Sequence, residues 1–384
     1  MAAKYKVADV LNLEQAHLHM LCANSWQLRT LHAIRKCRTK ALGGHIDQCN
    51  KCNKKHLFYH SCRNRHCPTC QGHKVNEWVQ AREKELLPVP YFHLVFTLPE
   101  QLNTVAMHHP KKLYKVLFKT AWKTLSQFGD NPDHLGASMG MIGVLHTWGQ
   151  NLSLHPHLHC IVPGGGVTKN STWKKTNSQG RFLFNVKSMS TVFRAKFVAE
   201  LRKEIPDLPQ SLFNALFKKK WVVFAKRPFK NTQSVIEYLG RYTHKIAISN
   251  YRIQHIGYEK HMVTFSLKDY RKGGKKTTQT LSTKEFIRRF VLHVLPKGFT
   301  RIRHYGILSS AWKKKKLPTL QKMLGAKTLL LKTIEITSIK KKETMLHKCP
   351  SCKEGTLKTI LIFDKRGPPD GYQNTNNKPT STLL

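Results

Sequence analysis

The stretch "HPHLHC" carries the residues best suited to chemistry, because its histidines recur at every second position. In a β-strand side chains alternate between faces, so His155, His157 and His159 share one face while Leu158 and Cys160 point to the other. Neutral imidazole is the commonest protein ligand for divalent transition metals. Two histidines and one further ligand leave open coordination positions, where a Lewis acid can hold a phosphate oxygen. The pattern therefore predicts a divalent-metal site built on His157 and His159.

The third ligand of this predicted site is open among three residues. His146 and Gln150 stand at the end of the preceding predicted strand and can fold back over the site. His155 is the third candidate, although Pro156 bends the start of the strand and turns His155 either aside or toward the metal. The alternative interpretation is a set of solvated or buried structural histidines, which is the usual role of a single histidine.

A tyrosine pair supplies a second set of reactive groups. In "SVIEYLGRYTHKIAI" Tyr238 and Tyr242 stand four residues apart, which places them on the same face of a helix. Such pairs usually serve packing, but this one has polar neighbours, including Arg241 and Lys245, which we expect to contact DNA. A phenol can attack a phosphodiester and retain the 5′ phosphate as an ester if a cation polarises the phosphate. We therefore predict Tyr238 and Tyr242 as catalytic nucleophiles.

Two early cysteine pairs have the spacing of a zinc site. Cys49-x2-Cys52 and Cys67-x2-Cys70 predict one closed, tetrahedral, structural zinc site, which holds a segment too poor in apolar residues to form a core. Further residues of this segment could replace one of the four ligands: His56, His60, Cys62, His66 and His73.

A late pair, Cys349-x2-Cys352, is half of such a site. A lone pair of this kind is weak evidence for a metal. It predicts either a second zinc or the remnant of a terminal knuckle, and the sequence leaves both open.

The charge of the chain restricts its partners. The 384 residues include 66 Lys and Arg against 21 Asp and Glu, a formal charge of +45 that implies a polyanionic partner. Nucleic acid is the first candidate and an anionic membrane the second, but no apolar run of 18 residues and no apolar signal segment occurs. We therefore expect a cytoplasmic, nucleoid-associated protein whose cysteines stay reduced and bind metal.

The elements that position these residues predict an α+β fold. The runs "YFHLVFTLP", "MGMIGVLHTWGQ" and "HPHLHCIVPGGG" predict strands, the last two antiparallel. "TQSVIEYLGRYTHK" predicts the helix that carries the tyrosines, and "IAISNYRI" with "MVTFSLKDYR" a further β pair. We expect a helical and zinc-binding module over 1–85, a catalytic domain with a mostly antiparallel sheet over 88–306, and a basic C-terminal region with a disordered tail over 307–384.

Taken together, these stretches resemble the HUH endonucleases, and more closely the rolling-circle transposases typified by insertion sequence ninety-one. The resemblance rests on "CNKCNKKHLFYHSCRNRHCPTCQ", "YFHLVFTLP", "LHTWGQNLSLHPHLHCIVPGGG", "YLGRYTHKIAISNYRI" and "FIRRFVLHVLPKGFTRIRHYG", and it spans roughly residues 10 to 306. It implies that His157, Leu158 and His159 form the metal-binding motif and that Tyr238 and Tyr242 are the two nucleophiles.

The resemblance implies a DNA transposase with Mg²⁺ or Mn²⁺ at the histidine site and structural Zn²⁺ in a DNA-recognising N-terminal domain. Such an enzyme nicks one strand at a single-stranded or hairpin element end, holds the 5′ end on tyrosine and transfers it to target DNA. Two other functions remain open: a replication initiator or relaxase with the same chemistry, and a non-catalytic, zinc-dependent nucleic-acid-binding protein.

Overall fold

The computed structural model describes most of the chain with gaps. The described residues are 3–70, 84–176, 183–226, 229, 234–235, 240, 245–269, 273–325 and 348–368. Within them, the α-helices are α1 (Val7–Leu13), α2 (Ser25–Arg35), α3 (Asn103–His108), α4 (Pro110–Asp130), α5 (Val186–Glu204), α6 (Gln210–Lys218), α7 (Thr283–Val291) and α8 (Ser310–Met323).

The strands belong to four antiparallel sheets. In chain order they are β1 (Gly44–Cys49), β2 (Lys55–Tyr59), β3 (Tyr91–Thr97), β4 (Gly140–Trp148), β5 (Leu154–Pro163), β6 (Gly165–Val167), β7 (Trp173–Lys175), β8 (Val222–Lys226), β9 (Ile253–Gly257), β10 (Met262–Asp269), β11 (Lys275–Ser282), β12 (Ile302–Gly306) and β13 (Leu357–Phe363). The predicted α+β class with antiparallel sheets is confirmed.

The central sheet has five strands in the order β12-β4-β5-β3-β8. Strands β3 and β4 are buried along most of their length, which explains their nearly continuous apolar sequences. Strand β5 is also mostly buried, although histidines alternate along its first half. Strands β4 and β5 pair antiparallel as predicted, and their register sets His146 opposite His157. A connection of a few residues between them makes this pairing local and therefore readable from the sequence.

One face of this sheet is covered by helices α3 to α6 and forms the largest apolar cluster. Leu94, Phe96, Leu158 and Cys160 point into it from the middle strands, so the residues that alternate with the histidines are core residues. Helix α4 contributes an apolar stripe that includes the fully buried Phe118. This packing fixes the orientation of β5 and turns its histidines to the opposite face.

The opposite face carries the histidines at one end and a smaller apolar cluster at the other. Tyr91, Ile142 and Ile161 belong to this cluster together with Val235, which lies shortly before the tyrosine motif. Helix α8 adds the buried side chains of Leu317 and Leu320 to it.

The second sheet, β11-β10-β9, packs with α7 against the N-terminal helices. Asn250 connects these parts: its Oδ1 accepts from the backbone N of Val7 at 3.1 Å, and its Nδ2 donates to Thr69 Oγ1 at 3.2 Å. The predicted strand "IAISNYRI" is wrong except at its last residue, because this segment contains a short 3-10 turn and β9 begins only at Ile253. The predicted strand "MVTFSLKDYR" corresponds to β10, which pairs with β9 and with a third strand, β11.

The third sheet, β13-β1-β2, joins the two ends of the chain. Strand β1 pairs with β2 on one side and with the C-terminal β13 on the other. Described parts of the predicted basic C-terminal region, 307–384, thus contact the rest of the chain: α8 packs on the central sheet, and β13 completes the N-terminal sheet. Both contacts are long-range pairings, which local sequence patterns do not reveal.

Candidate metal and nucleic-acid site

Three histidines from two paired strands form a compact cluster on the face of the central sheet that lies opposite α3 to α6. His146 comes from β4, and His157 and His159 come from β5. Each offers one ring nitrogen, and these nitrogens all lie within 4.8 Å of one another. The ring centroid of His146 lies 4.5 Å from that of His159 and 5.5 Å from that of His157. This donor set suits a divalent cation with open coordination positions.

The structure places the two histidine candidates for the third ligand differently. His146 lies with His157 and His159, whereas His155 is not part of this cluster. Gln150 lies in the turn after β4, where its backbone carbonyl accepts from Arg252. His155 is exposed at the outer end of the histidine row, and its carbonyl accepts from His157 Nδ1 at 2.7 Å.

Hydrogen bonds orient two of these rings. Because His157 Nδ1 donates to the carbonyl of His155, its Nε2 is left as the ligand atom. His159 Nδ1 lies 2.8 Å from Nε2 of His93, a buried residue of β3 whose ring stacks on that of His159. His159 therefore also presents Nε2 to the cluster. Sequence analysis missed His93, although a histidine inside the apolar run "YFHLVFTLP" was the available signal.

Burial keeps these imidazoles neutral. It lowers the pKa of His157 to about 4, and it lowers the pKa of His159 to about 2 with help from neighbouring histidines and the positive charges of Lys245 and Arg301. Protonation would place an unpaired charge in a desolvated site. At neutral pH both rings are thus in the form that binds a metal.

Arg301 lies beside the cluster and connects its parts. Its Nε donates to the carbonyl of Leu145 at 3.1 Å, and its guanidinium also donates to the carbonyl of Lys245. It packs over the ring of Trp148 at 5.3 Å, and Trp148 in turn stacks on His146 with centroids 4.6 Å apart. Burial lowers the pKa of Arg301 to about 9, so the group stays cationic at neutral pH. Sequence analysis did not select Arg301, because its neighbours in space are distant in sequence.

The predicted nucleophiles Tyr238 and Tyr242, and the predicted DNA contact Arg241, lie outside the described residues. The other predicted DNA contact, Lys245, is described and exposed, and its charge acts on His157 and His159. Val235 precedes the tyrosine motif and packs in the apolar cluster on the histidine-bearing face. Residues on both sides of the motif therefore lie at this face of the sheet.

The four predicted zinc ligands are divided between two cysteine clusters, so the single predicted site is corrected. Cys67 and Cys70 group with two other cysteines of the N-terminal region, Cys37 and Cys62. Cys62 is one of the predicted replacement ligands, whereas Cys37 lies just after α2 and has no pair partner nearby in sequence.

The second cluster combines Cys49 and Cys52 with the distant pair Cys349 and Cys352. The closest sulfur pairs of the two clusters lie 3.4 to 3.7 Å apart. A disulfide requires about 2.0 Å, whereas the edge of a tetrahedron with Zn–S bonds of about 2.3 Å is roughly 3.8 Å. Both donor sets therefore fit Zn²⁺.

The described histidines of this segment lie outside both clusters. His56 is buried with Nε2 at 3.4 Å from Cys349 Sγ, and His60 stacks near His45. His66 lies near the central sheet, where burial and the charges of Arg65 and Arg301 lower its pKa to about 3. His73 lies outside the described residues.

Two family models match the chain. Residues 140–316 match a family described as "Putative transposase", and residues 11–98 match one described as "Transposase zinc-binding domain". The first match contains the histidine cluster, the tyrosine motif and Arg301; the second contains all the cysteines of the two clusters except Cys349 and Cys352.

Similar proteins extend over most of the chain. "Putative transposase y4qJ" of Sinorhizobium fredii is 42% identical over 366 residues, which cover 89% of this chain and 91% of that protein. "Transposase for insertion sequence element IS801" of Pseudomonas savastanoi pv. phaseolicola is 28% identical over 297 residues, covering 74% and 70% respectively. No solved structure matches the chain significantly.

These similarities identify the protein as a transposase. It belongs to the family of insertion sequence IS91 and carries the N-terminal zinc-binding domain of that family. Within the described residues, every helix is too short or too polar to act as a membrane span.

Proposed function

We propose that this transposase cuts and rejoins single-stranded DNA by metal-dependent HUH chemistry, through a 5′ phosphotyrosine. The observation that carries the proposal is the cluster of His146, His157 and His159 on one sheet face, in which burial keeps His157 and His159 neutral and cationic residues lie nearby. Burying polar rings costs free energy, so a purely structural role would favour apolar side chains on this face.

The residues of the site have different roles in the proposed strand cleavage. The three histidines would hold Mg²⁺ or Mn²⁺, which when bound polarises a phosphate oxygen and stabilises the charge that develops during cleavage. Lys245 and Arg301 add positive charge beside the cluster and favour a bound phosphate. Arg241 is proposed as a further DNA contact from the motif itself.

Tyr238 and Tyr242 supply the nucleophiles in this proposal. The phenolic oxygen of one tyrosine attacks the phosphorus and loses its proton, while the bond to the 3′ oxygen breaks and the 3′ end leaves as a hydroxyl. The 5′ phosphate remains esterified to the tyrosine, and attack by a 3′ hydroxyl of the target reverses the step without an external energy source. A second tyrosine allows a second cut while the first 5′ end is held.

Substitution of the clustered histidines tests the proposal. His146→Asn, His157→Asn and His159→Asn should each lower metal-dependent nicking of a single-stranded element-end oligonucleotide by at least about 100-fold, because each removes a ligand. The matched control, His155→Asn, lies beside the cluster on the same strand and should stay within about 3-fold of the unsubstituted protein.

DNA affinity, measured by fluorescence anisotropy in EDTA, and the midpoint of thermal unfolding should be similar in all four variants. Full nicking by the His157→Asn protein would contradict the proposal and favour a non-catalytic DNA-binding role for this sheet face.

A further inference from the structure

The cysteine pair near the C-terminus has a partner at the other end of the chain. Cys49 Sγ lies 3.7 Å from Cys352 Sγ, and Cys52 Sγ lies 3.6 Å from Cys349 Sγ. All four sulfur atoms lie within 4.8 Å of one another. We propose that these four thiolates form a zinc site that fastens the C-terminal segment to the N-terminal module, independently of the DNA chemistry proposed above.

The two cysteine pairs have matching backbone turns. Asn53 N donates to the carbonyl of Cys49 at 3.1 Å, and Lys353 N donates to the carbonyl of Cys349 at 2.9 Å. Asn53 and Lys353 have the left-handed φ values of 55° and 60°. Two equivalent turns that face each other place two sulfur atoms each at one centre, which is the arrangement that a tetrahedral site with four cysteine ligands requires.

Backbone N–H groups point at the sulfur atoms within these turns. Lys51 N and Cys52 N donate to Cys49 Sγ at 3.4 and 3.5 Å, and Gly355 N donates to Cys352 Sγ at 3.3 Å. Such donors stabilise negative charge on sulfur, and the thiolate is the form of cysteine that binds metal. A pair of inert buried thiols would not need them.

The two chain segments that carry the cysteine pairs approach each other closely. A Cβ on Gly355 would lie 2.3 Å from Cys49 Sγ, so only glycine fits at this position. Asn50 Oδ1 accepts from Thr356 N at 2.8 Å, and Thr359 Oγ1 donates to Asp47 Oδ1 at 2.7 Å. With the β1–β13 pairing, these contacts form a continuous interface between residues 44–50 and 355–363.

The zinc content of the full-length protein tests the proposal. The unsubstituted protein should carry two Zn²⁺ per chain by native mass spectrometry, one per cysteine cluster, and Cys349→Ser with Cys352→Ser should leave one. Cys37→Ser with Cys70→Ser should also leave one, because the second cluster is separate. Cys22→Ser is the matched control, since Cys22 belongs to neither cluster, and it should retain two.

A variant that keeps all four cysteines but blocks the approach of the two segments tests the geometry of the site. Gly355→Leu should carry one Zn²⁺ per chain because its side chain occupies the approach to Cys49. Two Zn²⁺ in the Cys349→Ser, Cys352→Ser protein would overturn the proposal, as would one Zn²⁺ in the unsubstituted protein that this double substitution does not change.

The association of the C-terminal segment with the N-terminal module is measured on full-length protein that has a specific protease site inserted within 326–347. After cleavage, the C-terminal fragment should coelute with the remainder of the chain in size exclusion when the cysteines are intact. It should separate when Cys349→Ser and Cys352→Ser are present. Coelution of the doubly substituted fragment would contradict a zinc-dependent attachment.

Discussion

At the residue scale, the histidine cluster depends on a partner that is not one of its members. His93 lies one strand away from His159, and the hydrogen bond of 2.8 Å between their rings fixes which nitrogen of His159 faces the cluster. Partners of this kind orient metal-binding histidines and raise their basicity. Burial, aided by the positive charges of Lys226 near His93 and of Lys245 and Arg301 near His159, lowers the pKa of both rings. We therefore propose that His93 is a positioning residue.

Replacing His93 should weaken metal use without abolishing it. We expect His93→Phe to raise the Mn²⁺ concentration for half-maximal nicking by about 10- to 100-fold, because His159 loses its orienting partner. Maximal nicking at saturating Mn²⁺ should fall less. His108→Phe, a substitution of an exposed histidine on α3, is the control. An unchanged Mn²⁺ dependence in His93→Phe would show that His159 is oriented by other contacts.

At the element scale, β4, the start of β12 and the segment after the tyrosine motif meet at Arg301. The guanidinium bonds to carbonyls of Leu145 and Lys245, and the backbone carbonyl of Arg301 accepts from Leu145 N at 3.0 Å. One side chain thus connects the strand that carries His146 with the end of the segment that carries the tyrosines. A fixed distance between these elements is what nucleophilic attack requires.

Replacing the guanidinium of Arg301 with an ammonium should lower the rate of cleavage without changing metal affinity. Arg301→Lys keeps the charge but cannot make both hydrogen bonds, so we expect nicking to fall about 10- to 100-fold at saturating Mn²⁺. The Mn²⁺ concentration for half-maximal nicking should stay unchanged. Arg303→Lys is the control, since Arg303 lies close by in β12 but packs over Phe118. A shift in metal dependence alone would place Arg301 with the metal ligands instead.

The contact between β4 and the segment after α7 predicts a pH dependence of stability. His293 is fully buried between Thr147 Oγ1 at 3.2 Å and the carbonyl of Leu152 at 3.1 Å. Burial lowers the pKa of His293 to about 4, so its neutral form is stabilised by folding. This contribution is complete above the unfolded value near 6.5 and is lost as the pH falls from 6.5 toward 4.

We expect the free energy of unfolding to decrease by on the order of 3 kcal/mol from this group between pH 7 and pH 4. In urea denaturation, His293→Asn should lower stability at pH 7 and show a smaller decrease at acid pH than the unsubstituted protein. Equal pH dependence in the two proteins would mean that His293 does not titrate between its two states.

The sequence predicted the local parts of this fold and missed the distant ones. The β4–β5 pair and the shared face of His157 and His159 follow from alternation and a short connection, so they could be predicted. The approach of His146 to His157 could be seen only from the register of the pair. The grouping of the cysteines into two clusters could not be predicted, because it depends on the pairing of β1 with β13, which joins residues about 300 positions apart.

At the scale of the whole molecule, a C-terminal segment of the chain packs against the N-terminal module. Strand β13 and the second cysteine cluster bring residues 348–363 onto the N-terminal module, while α1, α2 and the first cluster pack against the sheet β9–β11 and α7. Arg65, from the loop between Cys62 and Cys67, donates to the carbonyl of Phe299 at 2.6 Å. The zinc-binding and catalytic parts are thus in direct contact, and the charge of +45 gives the whole molecule a strong attraction to DNA.

The central claim is that this molecule holds DNA on a tyrosine while its histidines hold a metal. The most direct measurement is incubation of the full-length protein with 5′- and 3′-labelled single-stranded oligonucleotides from both element ends, in Mn²⁺ or EDTA, followed by denaturing gel electrophoresis and peptide mass spectrometry. We predict a metal-dependent adduct in which the fragment downstream of the cut is linked through its 5′ phosphate to Tyr238 or Tyr242. Cleavage without any adduct, or an adduct that persists in Tyr238→Phe with Tyr242→Phe, would contradict the account.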